Sequence, residues 1–211
     1  MAALLGRKIG MTGIFNDQGV YIPCTLIEAG PCTVVQVKTA ETDGYEAIQL
    51  GYGAGKEKQT NKPMQGHLQK AGVAPQRVIR EFRTYDVNGF KSGDTIAATD
   101  VFAVGDKLRI TTESKGRGFQ GVVKRHHFGG VGMRTHGQSD RQRHPGSIGG
   151  SSYPSRVFPG TRMAGRMGGK KTTIRNIQII AILADSNVLV VKGSIPGAPN
   201  AIVEIQKLTT R

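Results

Sequence analysis

Residues 115–171 have the sequence KGRGFQGVVKRHHFGGVGMRTHGQSDRQRHPGSIGGSSYPSRVFPGTRMAGRMGGKK, which differs in composition from the rest of the chain. This stretch contains 12 Lys or Arg and one acid, Asp140, so its net charge is +11. The whole chain has a net charge of +14, which leaves only +3 for all other residues. Such a segment, rich in Gly and poor in large apolar residues, cannot bury enough surface to form its own core. We therefore predict a folded body interrupted by a long extended basic loop.

The uncompensated charge of this loop predicts a polyanionic partner. A phosphate backbone supplies regularly spaced anions and releases counterions when Lys and Arg bind it. Because the loop repels itself, we expect it to be disordered in the free protein and ordered only on nucleic acid. Loops longer than about 15 residues are uncommon in compact domains unless they are functional, so the loop is the predicted functional part.

Outside the loop, short runs rich in β-branched residues alternate with turn residues, which indicates strands. The runs before the loop are 4–15, 20–28 and 32–39, expected as an antiparallel meander, then 45–53, 77–83, 95–102 and 107–114. The runs after it are 172–184, 188–192 and 202–208. Residues 61–72, with Pro63 near the start, predict one short helix. This pattern predicts a mainly β barrel or sandwich formed by residues 1–114 together with 172–211.

The two cysteines and the short apolar runs limit the classes of protein to which the chain can belong. Cys24 and Cys32 have no second Cys or His at zinc-site spacing, so we expect buried free thiols. The apolar start of the chain is too short for a signal peptide. The longest wholly apolar run, 179–184, is far shorter than the ~20 residues that span a bilayer. We expect a soluble intracellular protein with no membrane association.

Two glycine patterns in the loop resemble nucleotide-binding motifs. Residues 116–121 fit G-x-G-x-x-G, but no βαβ unit follows and the only nearby acid is Asp140. Residues 168–173 lack the Walker spacing, because Ala164 and Lys171 stand where Gly and Ser or Thr would be required. Nucleotide binding is therefore not expected, although closely spaced glycines can expose backbone N–H groups to phosphates.

The four histidines of the loop could serve in RNA binding or in a metal-dependent enzyme. A metal-dependent RNA-processing enzyme would need several carboxylates, and the loop has one acid. RNA contact is therefore favoured for these histidines, with an enzyme as the alternative. A DNA-compacting basic protein is a third reading, separable by competition between large rRNA and duplex DNA.

Residues 119–126 also place apolar side chains at helical spacing, which predicts a short amphipathic helix with a basic face. Phe119, Val122, Val123 and His126 would form its apolar face. Three further rings, on Phe128, Tyr153 and Phe158, are spaced among the arginines, as stacking on unpaired bases requires. Each ring could equally serve as a local anchor.

Five motifs along the chain are recognisable. They are GMTGIF at 10–15, GRGFQGVVKR at 116–125, HPGSIGG at 144–150, RMAGRMG at 162–168 and LVVKGSIPGA at 189–198. Together they closely resemble the family of universal large-subunit ribosomal protein number three, in its bacterial form. The resemblance covers essentially the whole chain in order.

This resemblance implies a β-barrel of the translation-protein type with a small inserted α+β part, here at about 52–92. It implies a structural constituent of the large ribosomal subunit in the cytoplasm, with no enzymatic activity, cofactor, metal or small-molecule substrate. The family binds 23S rRNA near its 3′ end, nucleates early subunit assembly and neighbours ribosomal proteins such as numbers fourteen and nineteen. Its extended loop approaches the peptidyl transferase centre.

The candidate site residues follow from the loop composition and from this resemblance. The expected RNA-binding residues are Lys115, Arg117, Phe119, Lys124, Arg125, His126, His127, Arg134, His136, Arg141, Arg143, His144, Arg156, Arg162, Arg166, Lys170 and Lys171. The expected loop tip near the peptidyl transferase centre is Pro145, Gly146, Ser147, Ile148, Gly149, Gly150 and Ser151.

Three positions depart from relatives of this family. Many relatives have Trp after the VKR of the helix, where this chain has His126. Some bacterial relatives have a methylated Gln where this chain has Gly150, so that modification is not expected. Relatives often have His where this chain has Gln142.

Overall fold

The computed structural model describes residues 2–83, 89–132, 136–138 and 140–208. It divides into two compact units, Met1–Glu113 with Lys171–Arg211, and Ser114–Lys170. We call them the body and the loop unit and use these bounds from here on. They lie within one residue of the bounds expected from composition.

The strands in chain order are β1 (Ala3–Phe15), β2 (Tyr21–Ala29), β3 (Cys32–Lys38), β4 (Ala47–Ala54), β5 (Gln76–Phe82), β6 (Thr95–Ile96), β7 (Lys107–Glu113), β8 (Phe119–Gln120), β9 (Gly165–Arg166), β10 (Lys171–Leu183), β11 (Val188–Lys192) and β12 (Ile202–Lys207). The helices are α1 (Ala40–Asp43), α2 (Lys62–Lys70), α3 (Ala98–Val101) and α4 (Val122–His126), with 3₁₀ turns at Glu57–Gln59 and Ala184–Ser186. The prediction of a mainly β fold is confirmed.

Six strands of the body form a closed barrel in the order β1-β12-β7-β10-β11-β2. Every neighbouring pair is antiparallel. Strands β7 and β10 lie on either side of the loop unit in sequence, and Glu113 is directly opposite Lys171. The barrel therefore needs chain segments from both sides of the loop unit.

The two longest strands bend because their registers shift. β1 has an irregularity between Lys8 and Gly10, and β10 has irregularities between Ile174 and Ile177 and between Ile179 and Ala181. Bulges of this kind increase local twist and bend a strand. They let β10 pair with β7 in its first part and with β11 in its last part, which closes the barrel.

A second sheet in the body has the order β5-β4-β3-β6. Its inward residues, such as Val34, Leu50 and Phe82, belong to the same buried apolar cluster as the barrel residues Leu108 and Ile205. Alternate residues face this common core, as the period-two pattern of the sequence predicts. The body thus has one core rather than two.

The second sheet differs from the sequence prediction in two ways. β3 does not continue a meander with β2; it starts the second sheet by pairing with β4 and β6. The sheet therefore spans 32–96, wider than the insert expected at about 52–92. The helix expected at 61–72 is confirmed as α2, which buries Leu68.

The run 95–102 was expected to be a strand, and this expectation is wrong. Only Thr95 and Ile96 pair with β3, and a helical turn follows. The cause is local, because the Asp100 carboxylate accepts a hydrogen bond of 2.9 Å from the Ala97 N–H. This satisfies one of the amides left unpaired at a helix start.

Both cysteines are free and buried, as predicted. Cys32 donates its S–H to the Leu5 carbonyl at 3.3 Å. Burial raises the pKa of the Cys32 thiol to about 12, so this thiol stays protonated and unreactive at neutral pH. No helix in the described residues is long and apolar enough to cross a membrane.

Replacement of residues 114–170 by a short Gly/Ser linker should leave the body folded. Glu113 and Lys171 already face each other in an antiparallel pair, and such pairs are normally joined by two to five residues. We expect a β-type circular dichroism spectrum, cooperative melting and slowly exchanging core amides. Loss of cooperative melting would show that the loop unit is needed for the core.

Candidate nucleic-acid interface

The loop unit starts with a two-stranded stem. Backbone hydrogen bonds join Ser114 N to Lys170 O (2.9 Å), Arg117 N to Met167 O (2.8 Å) and Met167 N to Gly118 O (2.9 Å). Strands β8 and β9 continue this antiparallel pairing. The stem therefore fixes the backbone positions of Arg117 and Arg166.

Glycine is required at one stem position. Gly168 has φ of +73°, and a Cβ at this position would lie 2.1 Å from the Lys115 carbonyl oxygen. Neither the backbone conformation nor the space allows an ordinary side chain. Gly116 lies on the facing segment, and a Cβ at this position would have no atom within 4 Å apart from those of its chain neighbours.

The predicted helix is shorter than expected. Phe119 and Gln120 are in β8, opposite Arg166 and Gly165, so the amphipathic helix over 119–126 is wrong. α4 begins only at Val122, because pairing with β9 holds the preceding residues extended. Phe119 is consequently exposed rather than part of an apolar face.

Two basic residues of α4 are held by the returning chain. Arg125 donates from Nη1 to the Met163 carbonyl at 2.6 Å, and His126 Nε2 lies 3.1 Å from the same oxygen. Gly165 leaves room for this guanidinium, since a Cβ there would be 2.7 Å from Arg125 Nη1. Met163 and Gly165 were not among the predicted site residues. The one sequence signal for a close approach of two chain segments was Gly165 in the motif RMAGRMG.

The middle of the loop unit is also held by backbone contacts. Val131 N donates to Gln142 O at 3.2 Å, and a Cβ on Gly130 would lie 2.3 Å from the same oxygen. Gln142, at a position where relatives often have His, therefore contributes its backbone carbonyl to a contact between two chain segments. Any residue type could supply that carbonyl.

The tip residues expected near the peptidyl transferase centre are all exposed. Gly149 has φ of +150°, and a Cβ on Gly150 would lie 2.7 Å from the Tyr153 carbonyl oxygen. Tyr153 itself is 91% exposed. The Arg156 guanidinium lies 5.7 Å from the Phe158 ring centroid, within cation–π range.

The loop unit has almost no core. Among its described residues only Val122 is buried, with 2% of its surface exposed. Most of its basic side chains face solvent, so they are accessible to a polyanion. This agrees with the expectation that the composition cannot support a core.

Most of the expected RNA-binding cations have no acidic partner within the described residues. The basic residues without an ion pair there are Lys115, Arg117, Lys124, Arg125, Arg141, Arg143, Arg156, Arg162 and Arg166. Because no carboxylate of the described residues forms an ion pair with these side chains, their charges are available to a bound anion. Arg134 lies outside the described residues.

Lys171 differs from the other candidates. It belongs to β10 of the body, and its Nζ is 3.1 Å from Glu204 Oε2. The same carboxylate is 3.5 Å from Arg80 Nε. Lys171 is thus part of an ion-pair cluster in the barrel, and its availability for phosphate is lower than that of the loop cations.

The candidate histidines do not assemble a metal site in the part of the chain that is described. No group of three or more His, Cys, Asp or Glu there is close enough to hold an ion. His127 is the left-handed cap of α4, with φ of 61°. His136 and His144 are exposed, and the described part of the loop unit contains Asp140 as its acid.

Comparison with known proteins agrees with this basic, glycine-rich architecture. A family model described as ribosomal protein L3 matches residues 79–187. The chain is 57% identical to large ribosomal subunit protein uL3 of Chlorobium phaeobacteroides, over 97% of this chain and 98% of the relative. It is 54% identical to the same protein of Chlorobaculum tepidum, over 99% and 100%, and 50% identical to that of Salinibacter ruber, over 98% and 99%. The chain belongs to the ribosomal protein L3 family.

Membership of the L3 family confirms the resemblance inferred from the five motifs. The chain is a structural constituent of the large ribosomal subunit and not an enzyme. Its partners are rRNA and other ribosomal proteins, and its location is the cytoplasmic ribosome. The alternatives of an RNA-processing enzyme and a DNA-compacting protein are thereby set aside.

Gly168→Ala should open the stem of the loop unit. The left-handed backbone and the contact with the Lys115 carbonyl together cost about 1–3 kcal/mol. Amide exchange at Arg117 and Met167 should then be roughly 5- to 150-fold faster, since 1.4 kcal/mol corresponds to a factor of ten. Gly116→Ala is the matched control and should leave exchange unchanged. Equal exchange in both variants would contradict the assigned role of Gly168.

Proposed function

We propose that the loop unit binds 23S rRNA directly, near its 3′ end, and provides most of the affinity of the chain for RNA. The observation that supports this is the set of exposed loop cations without acidic partners in the described residues. Lys and Arg placed in this way neutralise phosphates and release counterions. The many glycines let the backbone approach RNA closely.

Different residue types of the loop unit make different contacts with the RNA. The exposed cations of the stem and α4 contact phosphates, and the hydrogen bond from Arg125 to the Met163 carbonyl orients this guanidinium in the ordered loop. Phe119, Tyr153 and Phe158 are exposed and can stack on unpaired bases. Lys170 and the four loop histidines complete the contact surface, with Lys171 contributing less because of Glu204.

A role in subunit assembly and a position within the subunit follow from the same loop. The chain binds early and nucleates assembly, because a loop without a core gains its order from RNA and in turn fixes that RNA. The tip, Pro145 to Ser151, approaches the peptidyl transferase centre. Ribosomal proteins fourteen and nineteen are the proposed protein neighbours, as the family resemblance implies.

Removing four loop cations should flatten the salt dependence of rRNA binding. Each lost phosphate contact lowers the log–log slope by roughly 0.7–0.9, so Arg117→Ala, Lys124→Ala, Arg162→Ala and Arg166→Ala combined should lower it by about 3. Filter binding of the free chain to a 23S rRNA 3′ fragment across salt concentrations measures this.

A control for this experiment removes the same charge from the body. Lys56, Lys58, Lys62 and Lys70 are exposed residues around α2, and their combined change to Ala should leave the slope nearly unchanged. Equal slopes for the two quadruple variants would mean that affinity depends on total charge and not on the loop unit.

A bulky residue at the tip should alter function without preventing assembly. The tip from Pro145 to Ser151 has no Lys or Arg, so Ser151→Phe removes no phosphate contact. Large subunits containing Ser151→Phe should form in normal yield but show changed peptide-bond formation or changed sensitivity to inhibitors of the peptidyl transferase centre. Ser151→Ala is the control. Unchanged activity and inhibitor response with Phe would mean that the tip is a passive spacer.

A further inference from the structure

The hairpin of β1 and β2 extends beyond the barrel pairing. β12 pairs with β1 only from Ala3 to Arg7, and β11 pairs with β2 only from Cys24 to Glu28. Residues 9–23 therefore form a two-stranded segment that we call the arm. The pairs from Thr12 with Cys24 to Phe15 with Tyr21 continue to its turn.

The arm has the opposite charge character to the loop unit. Its sequence, IGMTGIFNDQGVYIP, contains no Lys, Arg or His and one acid, Asp17, so its net charge is −1 in a chain of +14. Most of the affinity for phosphates comes from Lys and Arg, and the arm has neither. A surface of this composition is a poor fit to RNA and a better fit to protein.

One face of the arm exposes large apolar side chains. Met11, Phe15 and Tyr21 are 55%, 72% and 58% exposed. The Phe15 and Tyr21 rings pack edge to face at 5.5 Å, and Tyr21 lies across Gly13, where a Cβ would be 2.1 Å from the ring. The rings are thus held in place before any partner binds, which lowers the entropy lost on docking.

The backbone of the arm also presents an open edge. Pro23 has no N–H, and its carbonyl accepts from Gly193 N at 2.8 Å on the side away from β1. The pair Gly13 with Pro23 is therefore a non-hydrogen-bonded pair, and alternation places Met11 and Phe15 in the same class. Their N–H and C=O groups point away from β2, where no strand lies in the described part of the chain.

We propose that the arm docks a neighbouring protein of the large ribosomal subunit through an extended apolar strand. The strand pairs with the outer edge of β1 at Met11, Gly13 and Phe15, and its side chains pack on those of Met11 and Phe15. Main-chain hydrogen bonds supply affinity in this mode, and the alternate side chains supply specificity. The inference rests on the chain being part of the large ribosomal subunit. It extends the proposed function by naming the surface that contacts a neighbouring protein.

Photo-cross-linking in assembled large subunits tests the docking site. The full chain with p-benzoylphenylalanine in place of Phe15 is incorporated, irradiated, treated with ribonuclease and separated by size. We expect a cross-link to another ribosomal protein that survives ribonuclease. A cross-link to rRNA, a cross-link to a second copy of this chain, or no cross-link would each overturn the proposal.

The same reagent at Tyr153 separates this proposal from the proposed rRNA function. Tyr153 is in the loop unit and is highly exposed, so a cross-link to rRNA is expected there. Failure at Tyr153 alone contradicts the rRNA proposal, and failure at Phe15 alone contradicts the docking site.

A substitution measures the contribution of the apolar face. Phe15→Asp should lower retention of the chain in subunits after a high-salt wash by about tenfold relative to Phe15→Leu, as expected for a central interface residue. Affinity of the free chain for the rRNA fragment should be the same for both variants. A loss of rRNA affinity in a Phe15→Asp chain with an unchanged circular dichroism spectrum would identify the arm as an RNA surface instead.

Discussion

The antiparallel pairing of β7 with β10 is the interaction on which the rest of the molecule depends. β7 also pairs with β12, and β10 also pairs with β11. Together with the pairing of β1 and β2, this junction joins the two halves of the barrel. Glu113 and Lys171 face each other at its end. Residues 114–170 can therefore be inserted without interrupting any strand of the body, and loop-closure entropy grows only slowly with their number.

The sequence predicted the strands whose residues alternate toward one core. β4, β5, β7, β10, β11 and β12 overlap the predicted runs rich in β-branched residues and separated by turn residues. The errors came from interactions that periodicity does not contain. Asp100 caps a helical turn in the run 95–102, and β9, more than 40 residues away, holds Phe119 and Gln120 extended. The sheet that β3 joins likewise depends on strands that are distant in the sequence.

Composition located the candidate interface but not its geometry. Uncompensated charge and abundant glycine identified the loop, because both are properties of residue types. The orientation of Arg125 by the Met163 carbonyl and the ion pairing of Lys171 with Glu204 depend on residues more than 30 positions away in the sequence. Single-residue patterns cannot reveal such pairs, and whether the free loop is ordered stays a prediction.

The two proposed binding surfaces of this chain depend on different forces, so they should respond differently to salt. Phosphate contacts by loop cations are long-ranged and tolerant of direction, and salt screens them within about 10 Å at 0.1 M. The arm offers apolar area and backbone groups, which act only at contact and are strengthened rather than weakened by kosmotropic salts. A chain with net charge +11 in one segment and −1 in another can therefore be attracted to RNA first and meet protein afterwards. The order follows from range, since charge acts before contact and apolar burial acts only after it.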